Sequence, residues 1–297
     1  MSLLFINACS YIDYQEKPVD IEVVHHNNQQ PNINDPEFIS FLRENNFDSN
    51  EIPFKSWGID ELLFTQKYFN TQLKTADLEL QYIQSNEKIA SLRPLSSLGF
   101  EYERGDVDEP SENFYKFDYT FTFETANKRL IRYELAFNET QLALLEKELV
   151  HWNLRSSLIT TLAEYVKNQD LIKVLKNKIR LQQSILHMMK KRLDHGLVSK
   201  VEHMREKIKF NSIQKELTKH QNKQLNITKN LATLVGFTLE QFNMLAIDVK
   251  KTRGRITSNI SEYFKNVDQN IMHSTAMVNR IDLRQKLARY AIAEANL

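Results

Sequence analysis

The stretch Arg192-Leu-Asp-His-Gly-Leu-Val-Ser199 interrupts a run, from Thr125 to Ala232, that contains no proline and no glycine other than Gly196. Leu, Ile, Lys, Glu and Gln dominate both sides of it, residue types that, β-branched Ile apart, lose little on entering a helix. Lys190, Lys191 and Arg192 put cations at the negative end of a helix dipole, and a glycine just past the last periodic residue is a helix stop. The pattern predicts one long outgoing helix (126–194), a tight tip at Gly196, and a shorter return helix (198–235) ended by Gly236. At about 1.5 Å of rise per residue the outgoing helix extends roughly 100 Å, a reach that no globular core of this size needs.

Along that helix Leu158, Tyr165, Ile172, Ile179, Leu186 and Leu193 recur at heptad spacing, with Leu175 and Met189 beside them. Leu135, Leu142 and Leu149 keep the same spacing earlier, and the longer step to Leu158 shifts the phase of the seam. The return helix carries Val201, Met204, Ile208, Ile213, Leu217, Ile227, Leu231 and Leu234. A seam of this kind demands neighbouring helices.

Upstream, Leu62, Leu63, Phe69, Leu73, Ala76, Leu80, Ile83 and Ile89 predict a helix over 59–92, stopped by Pro94. Two strands follow, 96–104 and 114–124, separated by a polar loop. Leu98, Phe100 and Tyr102 alternate with charged or small residues in the first, and Phe117, Tyr119, Phe121 and Phe123 do so in the second. One aromatic face and one charged face fit a transmembrane β-barrel segment with those four aromatics toward lipid, or a soluble hairpin with one face buried. No run of 18 apolar residues exists, so no helical membrane span is expected.

All six prolines lie between Pro18 and Pro110. Residues 10–56 are polar and rich in Asn and Gln, an extended leader in which only Phe38 to Leu42 suggests a helical turn. After the return helix the reading expects an irregular stretch over 252–259, a helix near 260–272 and a final helix over 279–297. The single cysteine, Cys9, follows Leu3, Leu4, Phe5 and Ile6; residues 1–9 look like the truncated end of a bacterial lipoprotein signal, with Ile6-Asn-Ala-Cys9 as its cleavage box and Cys9 as lipid attachment site. The alternative is a free thiol near a terminus.

Lys and Arg number 39 against 38 Asp and Glu, so bulk charge selects no nucleic-acid partner. No acid–base pair, phosphate-cradling glycine loop, CxxC or HExxH motif is present, which argues against an enzyme and against any cofactor or metal. His25-His26, His187, His195 and His203 read as solvated histidines. Lys190, Lys191, Arg192, Lys200, Arg205, Lys207 and Lys209 surround the tip as a solvated or docking face.

The order helix, strand hairpin, long helix, Gly-Leu tip and return helix resembles one repeat of the TolC-like outer membrane efflux proteins. Arg192 to Ser199 resembles that family's tip; Asn230-Leu-Ala-Thr-Leu-Val-Gly236 resembles the end of its return helix. Arg280-Ile-Asp-Leu-Arg284 with Ala288, Ala291, Ala293, Glu294 and Ala295 is similar to the signature opening the second repeat, with Ile281 in place of its proline. Asn70-Thr-Gln-Leu73 is similar to the first-repeat counterpart, and Trp57 and Arg93-Pro94 are familiar from the metal and multidrug branch. The resemblance runs from Trp57 to Leu297: a first repeat plus the start of a second.

It implies a mainly α fold of long antiparallel helical hairpins, α-barrel type, with a two-strand β-hairpin contributing to an outer-membrane β-barrel. It implies a passive exit duct of a tripartite efflux system for drugs, metals or other small molecules, in the bacterial outer membrane and reaching into the periplasm. The implied partners are a periplasmic adaptor, an inner-membrane pump, outer-membrane lipid and further copies of the chain, a trimer at full length. Arg192, Gly196, Leu197 and Ser199 are the implied adaptor contacts. A type I secretion duct, and a periplasmic adaptor or structural coiled coil, are the alternatives. Family members carry two repeats, so the reading expects a fragment, a truncated frame or half of a split gene, or else a hexamer of half-length subunits.

Overall fold

The computed structural model describes residues 31–47, 52–103, 114–255 and 275–296. Cys9, His25-His26, the loop expected at 105–113 and the helix expected at 260–272 lie outside the described residues. The chain divides into two units, Met1–Pro53 and Phe54–Leu297. In the first, α1 (Pro36–Glu44) is longer than the single turn suggested by the sequence. Asp35 explains it: its Oδ1 accepts the Glu37 N–H at 3.1 Å, and Pro36 occupies the first helical position, where a missing N–H costs nothing.

The second unit opens with α2 (Ile59–Phe69) and α3 (Thr71–Ser91). Periodicity joins them into one helix; the structure breaks them at Asn70. The Asn70 Oδ1 caps α3 by accepting from Gln72 N at 2.9 Å and Leu73 N at 3.3 Å, while its Nδ2 donates to the Leu234 carbonyl at 2.9 Å. A capping residue with a distant partner bends the chain where neither proline nor glycine marks the sequence.

Next come β1 (Ser97–Glu103) and β2 (Phe114–Thr120), antiparallel. Beyond them α4 (Lys128–Asp194) runs for 67 residues, starting two residues later than expected because Ala126 and Asn127 hold φ of 57° and 56°. It packs along α5 (Lys200–Val235). After α6 (Leu239–Asn243), residues 249–255 are helical where the sequence reading had placed an irregular stretch from 252 onward. The overlooked signal is Asp248, whose Oδ1 caps the Lys250 and Lys251 N–H groups at 2.8 and 2.9 Å. Finally α7 (Ile281–Ala295) lies on α4, with Arg284 and Arg289 3.7 and 3.3 Å from Glu148 and Glu146.

The densest core sits where α2, mid-α4 and the end of α5 meet. Leu62, Thr65, Leu158, Leu162, Leu231 and Val235 are fully buried there. Gln66 Nε2 bridges the Leu154 and Leu234 carbonyls at 3.1 and 3.0 Å. Gly236 closes α5 at φ +91°: Phe237 N bonds Ala232 O at 2.8 Å and Gly236 N bonds Thr233 O at 3.1 Å, the Schellman pattern. A Cβ on Gly236 would stand 2.8 Å from the Phe69 carbonyl carbon and oxygen. Beside this core Trp57 is buried and pairs through its backbone with Ala246 and Asp248, and Lys251 bonds the buried Glu61.

Towards the tip, two apolar rows of α4 meet α5. The row Leu158, Tyr165, Ile172, Ile179, Leu186 and Leu193 is there as the heptads predict, but beyond Leu158 it is half-buried. Its partner row, Asn168, Leu175, Gln182 and Met189, goes deeper and contains two polar residues. Asn168 donates to His220 O at 2.9 Å and Gln224 Oε1 at 2.7 Å, and its Oδ1 lies 2.7 Å from His220 Nδ1. Gln182 donates to Glu206 Oε2 at 2.7 Å. The facing row on α5 includes His203, Glu206, Phe210, Ile213, Leu217, His220, Gln224, Ile227 and Leu231. Val201, Met204 and Ile208, expected in the pattern, are exposed instead.

Gly236→Ala combines a left-handed φ with a backbone clash and is expected to cost more than about 2 kcal/mol. Gly196→Ala has the φ cost alone, about 1 kcal/mol, because nothing lies within 4 Å of a Cβ there. Denaturant titration giving equal losses would refute the close approach. Asn168→Leu should keep the helical circular dichroism yet broaden spin-label distances between α4 and α5; one unchanged, narrow distance would show that the tip alone sets the register.

Candidate functional site

Neither end of the hairpin contains a catalytic constellation, and no group of three His, Cys, Asp or Glu able to hold a metal is found among the described residues. His187 and His195 are exposed and His203 is half-exposed. The residues singled out from the sequence lie on two surfaces: the tip between α4 and α5, and the strand hairpin at the other end of α4.

At the tip Gly196 takes φ +70°, Gly196 N bonds Leu193 O at 2.9 Å and Leu197 N bonds Arg192 O at 2.8 Å. This is a second Schellman cap, so Gly196 and the Arg192 carbonyl are accounted for by chain reversal. Ser199 starts α5 through a capping box: its Oγ accepts from Glu202 N at 3.2 Å and its N–H donates to Glu202 Oε2 at 2.8 Å. The Ser199 N–H, joined by its Oγ–H donating to the same Oε2 at 3.0 Å, holds the Glu202 carboxyl below its usual range. Leu197 is different. The apolar contact that normally accompanies such a cap is missing, and its side chain is 72% exposed. Of the basic cluster around the tip, Lys209 alone has an ion-pair partner among the described residues, Glu206 at 2.7 Å.

The four expected tip residues thus fall within one eight-residue reversal, in which Gly196, Ser199 and the Arg192 carbonyl serve the two caps while the side chains of Arg192 and Leu197 are exposed. The exposed stripe that continues from Leu197 was missed by the sequence reading. Val201, Met204 and Ile208 extend Leu197 along α5, while Val174, Leu181, Ile185 and Met188 form a similar stripe on α4. All are exposed, at steps of three or four residues and, from Val174 to Leu181, one full heptad, the mark of a second helical seam. Two apolar stripes on one helix share a period, so periodicity does not separate them.

In the strand hairpin Leu98 pairs with Tyr119, Phe100 with Phe117 and Tyr102 with Tyr115. The Phe100 and Phe117 ring centroids are 4.8 Å apart, and those of Tyr102 and Tyr115 5.1 Å. The opposite face carries Glu101, Lys116 and Asp118, with Lys116 3.4 and 3.1 Å from the two acids. Of the four expected lipid-facing aromatics, Phe117 and Tyr119 are on the strand; Phe121 and Phe123 follow its end at Thr120. The aromatic face is bare, Phe117 being 74% exposed, and no described residue covers it. No described helix is long and apolar enough to cross a membrane.

No family model matches the chain. No curated protein matches it either. Solved structures do. It is similar to the outer membrane protein VceC from Vibrio cholerae over 63% of this chain and 49% of that one, with 16% identity and a TM-score of 0.55. It is similar to the outer-membrane channel OprN over 80% and 54%, with 12% identity and a TM-score of 0.62. The Campylobacter jejuni outer membrane channel CmeC aligns over 62% and 42%, with 16% identity and a TM-score of 0.54. The chain spans about half the length of these structures. Long antiparallel helices with a two-strand sheet, aligned in this way, give the chain the TolC-like fold of outer-membrane channels.

Proposed function

We propose that this chain forms part of the wall of a passive outer-membrane exit duct in a tripartite efflux system that exports drugs, metals or other small molecules. The observation that carries the reading is the bare aromatic face of the strand hairpin, set at one end of a 67-residue helix. In water such a face is unfavourable; in a bilayer it becomes the lipid side of a barrel segment, with Glu101, Lys116 and Asp118 on the wet side. The helical hairpin then extends into the periplasm. Conduction through a polar tunnel needs no catalytic residue, cofactor or metal.

The bare stripes on α4 and α5 support further helices alongside, whether from other copies of the chain, as in a trimer of full-length subunits, or from a second repeat. At the tip a periplasmic adaptor, linked to an inner-membrane pump, would meet Arg192, Gly196, Leu197 and Ser199, with Leu197 entering an apolar notch. Cys9 would carry a lipid that adds a second hold on the membrane.

On a sucrose gradient the chain is expected with the outer membrane, and labelled palmitate is expected on the wild type and not on Cys9→Ser. Recovery in the soluble fraction would sink the duct, and label independent of Cys9 would sink the anchor. Leu197→Asp should leave stability within about 0.5 kcal/mol, as for an exposed side chain, yet abolish cross-linking to the adaptor. Undiminished cross-linking would remove Leu197 from the interface.

A further inference from the structure

A cleft of about 820 Å³ opens where the strand hairpin joins α4, between the end of β2, the first turn of α4 and the segment after α3. Its wall carries Arg93, Lys128 and Arg129. All three are exposed, and none has an ion-pair or hydrogen-bond partner through its side chain among the described residues. The acid on the wall, Glu124, is already neutralised. Arg132 binds both its oxygens, at 2.5 and 3.4 Å, and donates through Nε and Nη2 to the Ala90 and Leu92 carbonyls at 3.1 and 3.0 Å. The cleft therefore has a net positive wall that nothing in the described residues balances.

The rest of the lining combines small polar residues, Ser91, Ser96, Thr122 and Asn127, with a group of apolar ones. Phe121 and Phe123, which continue the aromatic row past the end of β2, lie beside Leu130 and Tyr133, with both phenylalanines largely exposed. Phosphate alone would need the cations and not the rings; an acyl chain alone would need the rings and not the cations. Both together match an amphipathic anion whose charged group and hydrocarbon meet at the boundary between water and bilayer. That boundary is also where aromatic and basic side chains are favoured on membrane proteins.

We infer that this cleft is a binding site for an anionic phospholipid, its headgroup phosphate held by Arg93, Lys128 and Arg129 and its acyl chains laid against Phe121 and Phe123. The inference rests on the outer-membrane reading. It gives the isolated aromatics beyond Thr120 a role that the strand register does not, and it would fix the depth at which the hairpin sits in the bilayer.

Native mass spectrometry of the full chain in a neutral detergent, titrated with phosphatidylglycerol and with phosphatidylcholine, tests it. Wild type should prefer phosphatidylglycerol by about tenfold or more. The combined Arg93→Ala, Lys128→Ala and Arg129→Ala variant should lose that preference, and a Lys190→Ala, Lys191→Ala, Arg192→Ala control at the tip should keep it. Should the triple variant lose its helical signal, Arg129→Glu alone should weaken phosphatidylglycerol binding without weakening phosphatidylcholine. No preference in wild type, a preference that survives in the triple variant, or one lost equally in the tip control overturns the site. So does displacement of the lipid by an equal concentration of inorganic phosphate, which would make it a free-phosphate site. Fractionation separates the two ideas: outer-membrane wild type with no lipid preference sinks this site alone, whereas soluble wild type sinks the duct whatever the titration shows.

Discussion

The last carbonyl groups of a helix have no partner within it, and at the end of α5 those of Ala232, Thr233 and Leu234 find one beyond it. Ala232 and Thr233 are bonded by Gly236 and Phe237, and Leu234 by the side-chain amides of Gln66 and Asn70. Leaving the Leu234 carbonyl buried and unpaired would cost about 1–3 kcal/mol. Gln66 also reaches the Leu154 carbonyl, so two amides tie three helices at one point. The bend between α2 and α3 falls there because Asn70 must both cap α3 and face α5. The left-handed Gly236 falls there because only a residue without Cβ lets α5 end against the Phe69 carbonyl.

From that point the hairpin is in register to the tip. The Gln66 bridge joins Leu154 to Leu234, the next polar layer joins Asn168 to His220, and the next joins Gln182 to Glu206, each two heptads from the last on both helices. Apolar residues alone would not fix this alignment. A slip of one heptad places Leu and Ile opposite Leu and Ile much as before, but it sets Asn168 against Ile213 or Ile227, both buried. A buried amide without partners costs about 1–3 kcal/mol, enough to make the native alignment dominant. Polar residues in the seam thus exchange some stability for a single register, as they do in coiled coils.

This is also why the sequence yields the hairpin and its length but only half of its packing. Gly196, Gly236 and the capping Ser199 are local devices whose residue types announce them, and the heptad from Leu158 to Leu193 is visible as a row of apolar residues. Asn168 and Gln182 obey the same spacing, in the row with Leu175 and Met189, yet their polarity hides them from a search for apolar positions. Val201, Met204 and Ile208 fail for the opposite reason: they are apolar and periodic, but on a stripe facing away from α4. Asn70 was visible as part of a motif, not as a break, since its partner is Leu234, far along the chain. For the strand hairpin, alternation sufficed for pairing and for the aromatic face; the end of β2 at Thr120 left no mark, because Phe121 and Phe123 continue the alternation beyond it.

The bare stripes limit what covers them. Leu197, Val201, Met204 and Ile208 follow α5 back from the tip, and Val174, Leu181, Ile185 and Met188 follow α4 toward it, so each stripe is a line of single side chains several turns long. A compact globular partner touches such a line at one or two turns and leaves the rest wet. A helix lying nearly parallel covers all of it, since side chains three and four apart on both partners can interdigitate at a shallow crossing angle. Because each helix already has one neighbour through its polar-layered seam, adding a second along the bare stripe makes every helix an intermediate member of a row. A row of that kind has unpaired edges unless it closes on itself, as helices arranged in a ring do.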